Sequence, residues 1–256
     1  MKVIISSAIV QMRQAVARSM FRYCLFLNPL CNSVLLGMMY SDKSDRVFTL
    51  YAILGTALSS FWTIICFSSA ADISREKYLG TLPVLFTSPS GFKKIIFGKL
   101  LGNSLWGVFA FFLNVLFVTL LFRRSLVFEI FVLIPILIFL AILTFVSIGM
   151  LMCSAFTLSR SAQLLMNMIE YPFLLLSGMI FPVEVLSKNI NWLSYLLSPT
   201  WVMKGFKLAV YGATASEIVF TIFILCLLTV FNFIIAYYAF TKIENKSRIS
   251  ATLEVY

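Results

Sequence analysis

Residues 130–157 read IFVLIPILIFLAILTFVSIGMLMCSAFT, twenty-eight positions without one Asp, Glu, Lys or Arg. A helix needs roughly 20 apolar residues to cross about 30 Å of hydrocarbon, so this stretch reads as a membrane span with Pro135 near its start. Working outward, five more charge-poor stretches of similar length appear at 23–41, 47–71, 100–122, 161–181 and 218–241. The first is the least apolar, broken by Asn28, Pro29 and Asn32, and 161–181 carries one charge, Glu170. Six spans put both termini on the same side of a membrane.

The composition of the whole chain agrees. Of 256 residues, 61% are hydrophobic and 12% charged, against about 45–50% and about 25% in ordinary soluble domains. The mean hydropathy is +0.99. A soluble enzyme, a disordered chain and a nucleic-acid-binding domain are excluded, and the net charge of +10 reads instead as loops facing an anionic cytoplasmic membrane surface. The chain contains no histidine, which removes histidine general-base catalysis and histidine metal sites. The five cysteines lie singly in apolar stretches without a Cys-x-x-Cys pair, so neither a disulfide framework nor a metal site is expected. No metal or other cofactor is expected in the chain.

Loop charge sets the orientation. With both termini cytoplasmic, thirteen of the twenty Lys and Arg residues fall on the inside, Arg160 among them, and Arg123–Arg124 fall on the other side. Before the first span, Ile5, Ile9, Met12, Val16 and Met20 recur at helical spacing, with Gln11, Gln14, Arg18 and Arg22 on the far face. Residues 1–22 therefore read as an amphipathic helix lying on the cytoplasmic membrane surface, the alternative being a helix packed on another protein.

Two loops are more than connectors. Residues 72–99 carry charges at both ends and an apolar middle with turn residues at Gly80, Pro83, Pro89 and Gly91, a pattern suited to a short amphipathic helix at the membrane face or to a basic interfacial loop. Gly91 to Gly98-Lys99 is not a phosphate-binding loop, because six residues separate the glycines and Leu100 follows the lysine. Gly98 and Gly102 read as small residues that let helices approach closely. With no nucleotide-binding signature in the chain, any ATP-driven work needs a second polypeptide. The other loop, 182–217, contains Trp192, Tyr195, Trp201 and Tyr211, residue types of the membrane–water interface. Short helices that dip into the outer leaflet and return are expected there.

Inside the spans, Glu170 stands near mid-membrane, where a carboxylate costs at least a few kcal/mol. Asn167 precedes it by one turn and Tyr171 follows. Either this is a polar patch on a substrate path or dimer seam, or Glu170 is a hydrogen-bonded packing residue. Asn28 and Asn32, one turn apart, present the same choice and suit helix–helix hydrogen bonds of about 1 kcal/mol.

Glu76 followed by Gly80-Thr81-Leu82, then Leu85, Thr87, Pro89 and Gly98-Lys99-Leu100-Leu101, resembles the loop after the second span of type-2 ABC exporter permeases. Ser177-Gly178-Met179-Ile180-Phe181-Pro182, followed by Trp192, Tyr195 and Pro199-Thr200, is similar to that family's segment after the fifth span. The resemblance implies an all-α integral membrane protein, a single transmembrane domain over 1–256. Six transmembrane helices would accompany an N-terminal interfacial helix, a cytoplasmic coupling helix built around Glu76, Gly80, Thr81, Leu82 and Leu85, and short extracellular re-entrant helices carrying Trp192, Tyr195 and Trp201. It implies a permease subunit without its own catalytic site, in the bacterial cytoplasmic membrane. Two separate ABC ATPase subunits would hold ATP and Mg, and a second permease, identical or homologous, would complete the transporter. Pro83 departs from the family, which often has an acidic residue there, and Glu170 is not part of its pattern.

The expected cargo is amphipathic or hydrophobic, a drug or antimicrobial peptide first and a lipid-linked polysaccharide second, given 16% aromatic residues. A proton-coupled carrier using Glu170 is the competing reading, although such carriers usually show internal repeats and none is evident. A membrane enzyme lacks candidate chemistry here, and a structural or immunity protein would not need the coupling-type loop.

Overall fold

The computed structural model describes residues 2–88, 91–159 and 161–250. Pro89 and Arg160 lie outside the described residues. The regular elements of the described residues are helices: α1 (Lys2–Ala17), α2 (Ser19–Met39), α3 (Asp45–Val47), a π-helix (Phe48–Gly55), α4 (Thr56–Tyr78), α5 (Leu82–Thr87), α6 (Phe92–Phe122), α7 (Leu133–Leu158), α8 (Ala162–Leu176), a short 3-10 turn (Val183–Val185), α9 (Lys188–Leu196), α10 (Ser198–Tyr211) and α11 (Ala215–Ser250).

The run Asp45–Tyr78 is one continuous helix with the π-segment inside it, and it is the centre of the molecule. Its most apolar window is 89% buried, against 17% for the corresponding window of Ala215–Asn245. α2, α6, α7 and α8 pack around α4, and α11 lies outside α7. Trp62 of α4, fully buried, stacks on Phe173 of α8 at 4.0 Å between ring centres, and Phe61 meets Phe145 of α7 at 4.8 Å. Ring pairs of this kind add about 0.5–1.5 kcal/mol to the burial of their area.

Among the described residues, four helices are long and apolar enough to cross a membrane: Asp45–Tyr78, Phe92–Phe122, Leu133–Leu158 and Ala215–Asn245. α2 and α8 reach the same two ends of the bundle without meeting that measure. Tyr40, just past α2, donates its hydroxyl to the Ile180 carbonyl, just past α8, at 2.8 Å. α8 has 15 residues, a rise of about 22 Å; a turn follows it, with Gly178 at φ 75°.

Local sequence accounts for several boundaries. α11 begins with a capping box, in which the Thr214 hydroxyl accepts from the Glu217 amide at 3.4 Å and the Glu217 carboxylate accepts from the Thr214 amide at 3.0 Å. α4 ends in a Schellman turn: the Gly80 amide donates to the Lys77 carbonyl and the Thr81 amide to the Glu76 carbonyl. Gly80 takes φ 65° there, a conformation that costs other residues about 1–2 kcal/mol.

The N-terminal reading needs correction in two places. Arg18 is extended (φ −83°, ψ 122°) and separates α1 from α2, so Met20 does not continue the stripe of Ile5, Ile9 and Val16. Gln11 and Arg18 do not face water either: Gln11 is 1% exposed, and Arg18 is paired inside the molecule. The cause is the neighbour. A Cβ on Gly98 would stand 2.6 Å from the Ile4 carbonyl, and one on Gly102 2.6 Å from the Ala8 carbonyl. These two glycines of α6 admit the backbone of α1, and the polar side chains on that face find partners. Ile5, Ile9 and Val16 remain exposed on another face.

Candidate functional site

At one end of the bundle, the last two turns of α4 join four other elements. The loop reading of 72–99 is narrowed at both ends, because residues 72–78 continue α4 and residues 92–99 begin α6. Asp72 is 5% exposed. One of its oxygens accepts from Arg18 Nη1 at 2.9 Å, and the other accepts from Gln11 Nε2 at 2.6 Å and Asn103 Nδ2 at 3.2 Å. Gln11 Nε2 also donates to Asn103 Oδ1 at 3.0 Å. A buried charge needs such pairing and hydrogen bonding to be tolerated, and this cluster clamps α1 onto α4 and α6.

One turn further on, Glu76 accepts from the Thr81 hydroxyl and from Lys99 Nζ on α6. Lys77 donates to the carbonyls of Phe156, at 3.0 Å, and Ser159 at the end of α7. There a cation meets both unpaired carbonyls and the negative end of the helix dipole. The expected coupling residues thus divide between elements. Glu76 belongs to α4, Gly80 and Thr81 to the Schellman turn, and Leu82 and Leu85 to α5. Pro83 sits in the first turn of α5, where an amide would have no intrahelical partner, so it starts this helix without cost. Leu82 and Phe86 face inward, with Phe86 stacked on Phe92 at 4.1 Å. Tyr78, Leu79 and Val84 are left outward, 91%, 54% and 65% exposed.

Midway along the bundle, α6 supplies a second polar node. Asn114 is fully buried. It donates to Ser60 Oγ at 2.8 Å and the Thr56 carbonyl at 3.2 Å, and accepts from Thr56 Oγ1 at 2.7 Å and Ser33 Oγ at 3.2 Å. Three helices are joined through one amide.

The expected path residues do not form one patch. Glu170 is buried at 9% exposure, beside Thr63 of α4. Asn167 and Tyr171 are exposed, Tyr171 at 68%, on the outer face of α8. Asn167 and Glu170 stand about 60° apart around α8, and α4 covers Glu170 while Asn167 is left on the exposed side. Asn28 and Asn32 bond each other at 2.9 Å, half-buried along α2.

At the opposite end, α10 is the buried member of the 182–217 region. Trp201 is 8% exposed and donates its indole N–H to the Tyr195 carbonyl at 2.9 Å. Trp192 and Tyr195 on α9 are 66% and 41% exposed. Arg124 binds the Lys43 carbonyl and the Asp45 carboxylate, and Arg46 pairs with Glu129. These contacts hold the tips of the hairpins together. The Lys207 ammonium, 2.9 Å from Glu184, holds that carboxyl below its ordinary range.

Reading the chain as a sequence missed Asp72, Gln11, Asn103, Asn114 and Lys77. One available signal was the interval between Asn103 and Asn114, three turns apart on one face of an otherwise apolar span. Among the described residues, no group of three or more Cys, Asp or Glu is placed to hold a metal ion.

A bundle of long apolar helices, laced by buried polar nodes and ending in clamped loops, defines a multi-pass membrane protein. The chain belongs to the ABC-2 family transporter proteins, whose family model matches residues 32–238. Its membrane architecture is that of a permease-type component of an ABC transporter. Among curated proteins none matches the chain.

Proposed function

We propose that the chain is the membrane-spanning half of an ATP-driven exporter, coupled to a separate ABC ATPase through α5 and the turn before it. The observation that carries this reading is the outward apolar group Tyr78, Leu79 and Val84, set on the end of the most buried helix. Large apolar side chains grouped on a surface mark interaction sites. Behind them, the Asp72, Glu76 and Lys77 contacts tie the end of α4, from which the turn and α5 lead, to α1, α6 and α7, so a push on this turn moves several helices together.

Six spans fit the way α2, Asp45–Tyr78, α6, α7, α8 and α11 alternate between the two ends, with α1 as an interfacial helix whose Ile5, Ile9 and Val16 enter lipid. The α5 end is then cytoplasmic, with both termini, and α9–α10 form the extracellular region. ATP and Mg belong to two ATPase subunits. A second permease, identical or homologous, completes the pathway in a bacterial cytoplasmic membrane. The cargo is amphipathic or hydrophobic: a drug or antimicrobial peptide before a lipid-linked polysaccharide.

Purification of the tagged chain from its native membrane in mild detergent tests the reading. A co-purifying ABC ATPase with vanadate-sensitive hydrolysis is expected; an intact complex without one sinks it. Glu170, buried beside a single threonine hydroxyl, favours one second reading, proton-coupled transport. If that reading holds, Glu170→Gln abolishes the pH dependence of transport while leaving assembly intact. An unchanged profile makes Glu170 a packing residue.

A further inference from the structure

The end of the bundle that carries α10 contains a cavity of about 230 Å³ to which the coupling reading gives no role. Its floor is apolar and buried, formed by Leu50 of the π-helix, Val183 and Met203. Its mouth is basic and aromatic. α10 turns Thr200, Lys204, Lys207 and Tyr211 toward it, positions spaced by four, three and four residues and so on one helical face.

The charges in this wall do not cancel. Lys207 is paired with Glu184 at 2.9 Å. Among the described residues, no carboxylate lies within ion-pair distance of Lys204, whose ammonium sits 4.5 Å from the centre of the Trp201 ring. In the wall itself two ammonium groups thus face one carboxylate, and Lys204 stands half-buried at the rim, with Glu184 and Glu217 acting on it only from beyond ion-pair distance. Below it, Thr200 is 4% exposed and its hydroxyl has no hydrogen-bond partner. A buried hydroxyl without a partner costs about 1–3 kcal/mol, and most such groups in proteins are satisfied.

An apolar floor, an unmatched cation and an unmatched hydroxyl in the wall call for a ligand with an apolar end and an anionic end. We propose that this cavity binds an amphipathic anion, its alkyl or ring portion against Leu50 and Met203 and its phosphate or carboxylate beside Lys204. The volume is below the roughly 300–1,000 Å³ of pockets that enclose a drug-sized molecule. The cavity therefore holds one end of such a ligand and leaves the rest in the surrounding phase. Leaflet lipid and exported cargo are two sources of the same chemistry.

The test uses the full chain in nanodiscs of neutral phosphatidylcholine, with dodecyl phosphate as probe and no ATPase present, so its outcome is independent of the exporter reading. Saturable binding is expected, weakened at least tenfold by Lys204→Gln, retained by Lys204→Arg and tightened several-fold by Glu184→Gln, which removes the competing carboxylate. The gain with Glu184→Gln cannot come from misfolding. Binding that is not saturable, or is unaltered by both Lys204→Gln and Glu184→Gln, overturns the proposal. Phosphatidylglycerol placed in the disc separates the sources: displacement of the probe assigns the site to leaflet lipid, and undisturbed binding assigns it to cargo.

Discussion

Asn114 concentrates more of the polar chemistry of the bundle interior than any of the residues that stood out in the sequence. Its amide satisfies hydroxyls from α2 and α4 at once, and there is no water at that depth to replace it. Asn114→Ala should cost about 1–3 kcal/mol, seen as a lower unfolding midpoint in detergent, with Ser33→Ala a smaller loss in the same direction. A second prediction concerns Glu184, a carboxylate whose folded pKa is depressed mainly by its bond to Lys207. The stability it contributes is present above the unfolded value of about 4.5. It fades as pH falls through the lower, folded value. Protease resistance of the 182–217 region should therefore fall below pH 4.5 in the native chain, and this fall should flatten in Lys207→Met. An identical acid profile in the two proteins would count against it.

Helix boundaries explain where an element-scale reading worked and where it slipped. A charged residue after an apolar run reads as the start of a loop, so Asp72 and Glu76 were placed together in one. The helix in fact continues to Tyr78 because Asp72 is neutralised by Arg18 and hydrogen-bonded by Gln11 and Asn103, residues 54, 61 and 31 positions away. No local pattern carries that information. The stop itself was legible, since Gly80 ends α4 through a left-handed turn that its missing Cβ permits. Two variants follow at this scale. Val84→Asp places a charge on the outward apolar face of α5 and should uncouple ATP hydrolysis from transport while membrane assembly stays normal. Gly80→Val strains the turn and should do the same with a loss of about 1–2 kcal/mol in stability. Full transport by Val84→Asp would detach α5 from coupling.

The whole molecule is asymmetric in its packing. The central helix is buried without a break over residues 48–66, whereas α8 presents Leu164, Met168 and Tyr171 outward at 65%, 75% and 68% exposure. Polar Asn167 lies on the same exposed face. A second permease placed there would cover a mixed polar and apolar surface. In a cysteine-free background, Met168→Cys should cross-link two permeases under mild oxidation in membranes, while Phe223→Cys on the exposed face of α11 should not. Equal cross-linking at both sites would indicate random collision.

What the linear chain determined by itself is its solvent and its class. With 61% hydrophobic residues, no histidine and long uncharged runs, only helices that satisfy their own backbone can form. Gly98 and Gly102 likewise announced a close helix contact before its partner was known. Tertiary structure decided which polar residues meet. Asp72 with Gln11 and Arg18, Asn114 with Ser33, and Lys77 with the end of α7 join segments far apart in sequence. Such pairs depend on crossing points between helices, and hydropathy does not encode crossing points. Glu170 shows the division most directly. The sequence marks it as a costly charge, and the packing of α8 on α4 decides that it faces Thr63 while Asn167 and Tyr171 turn away.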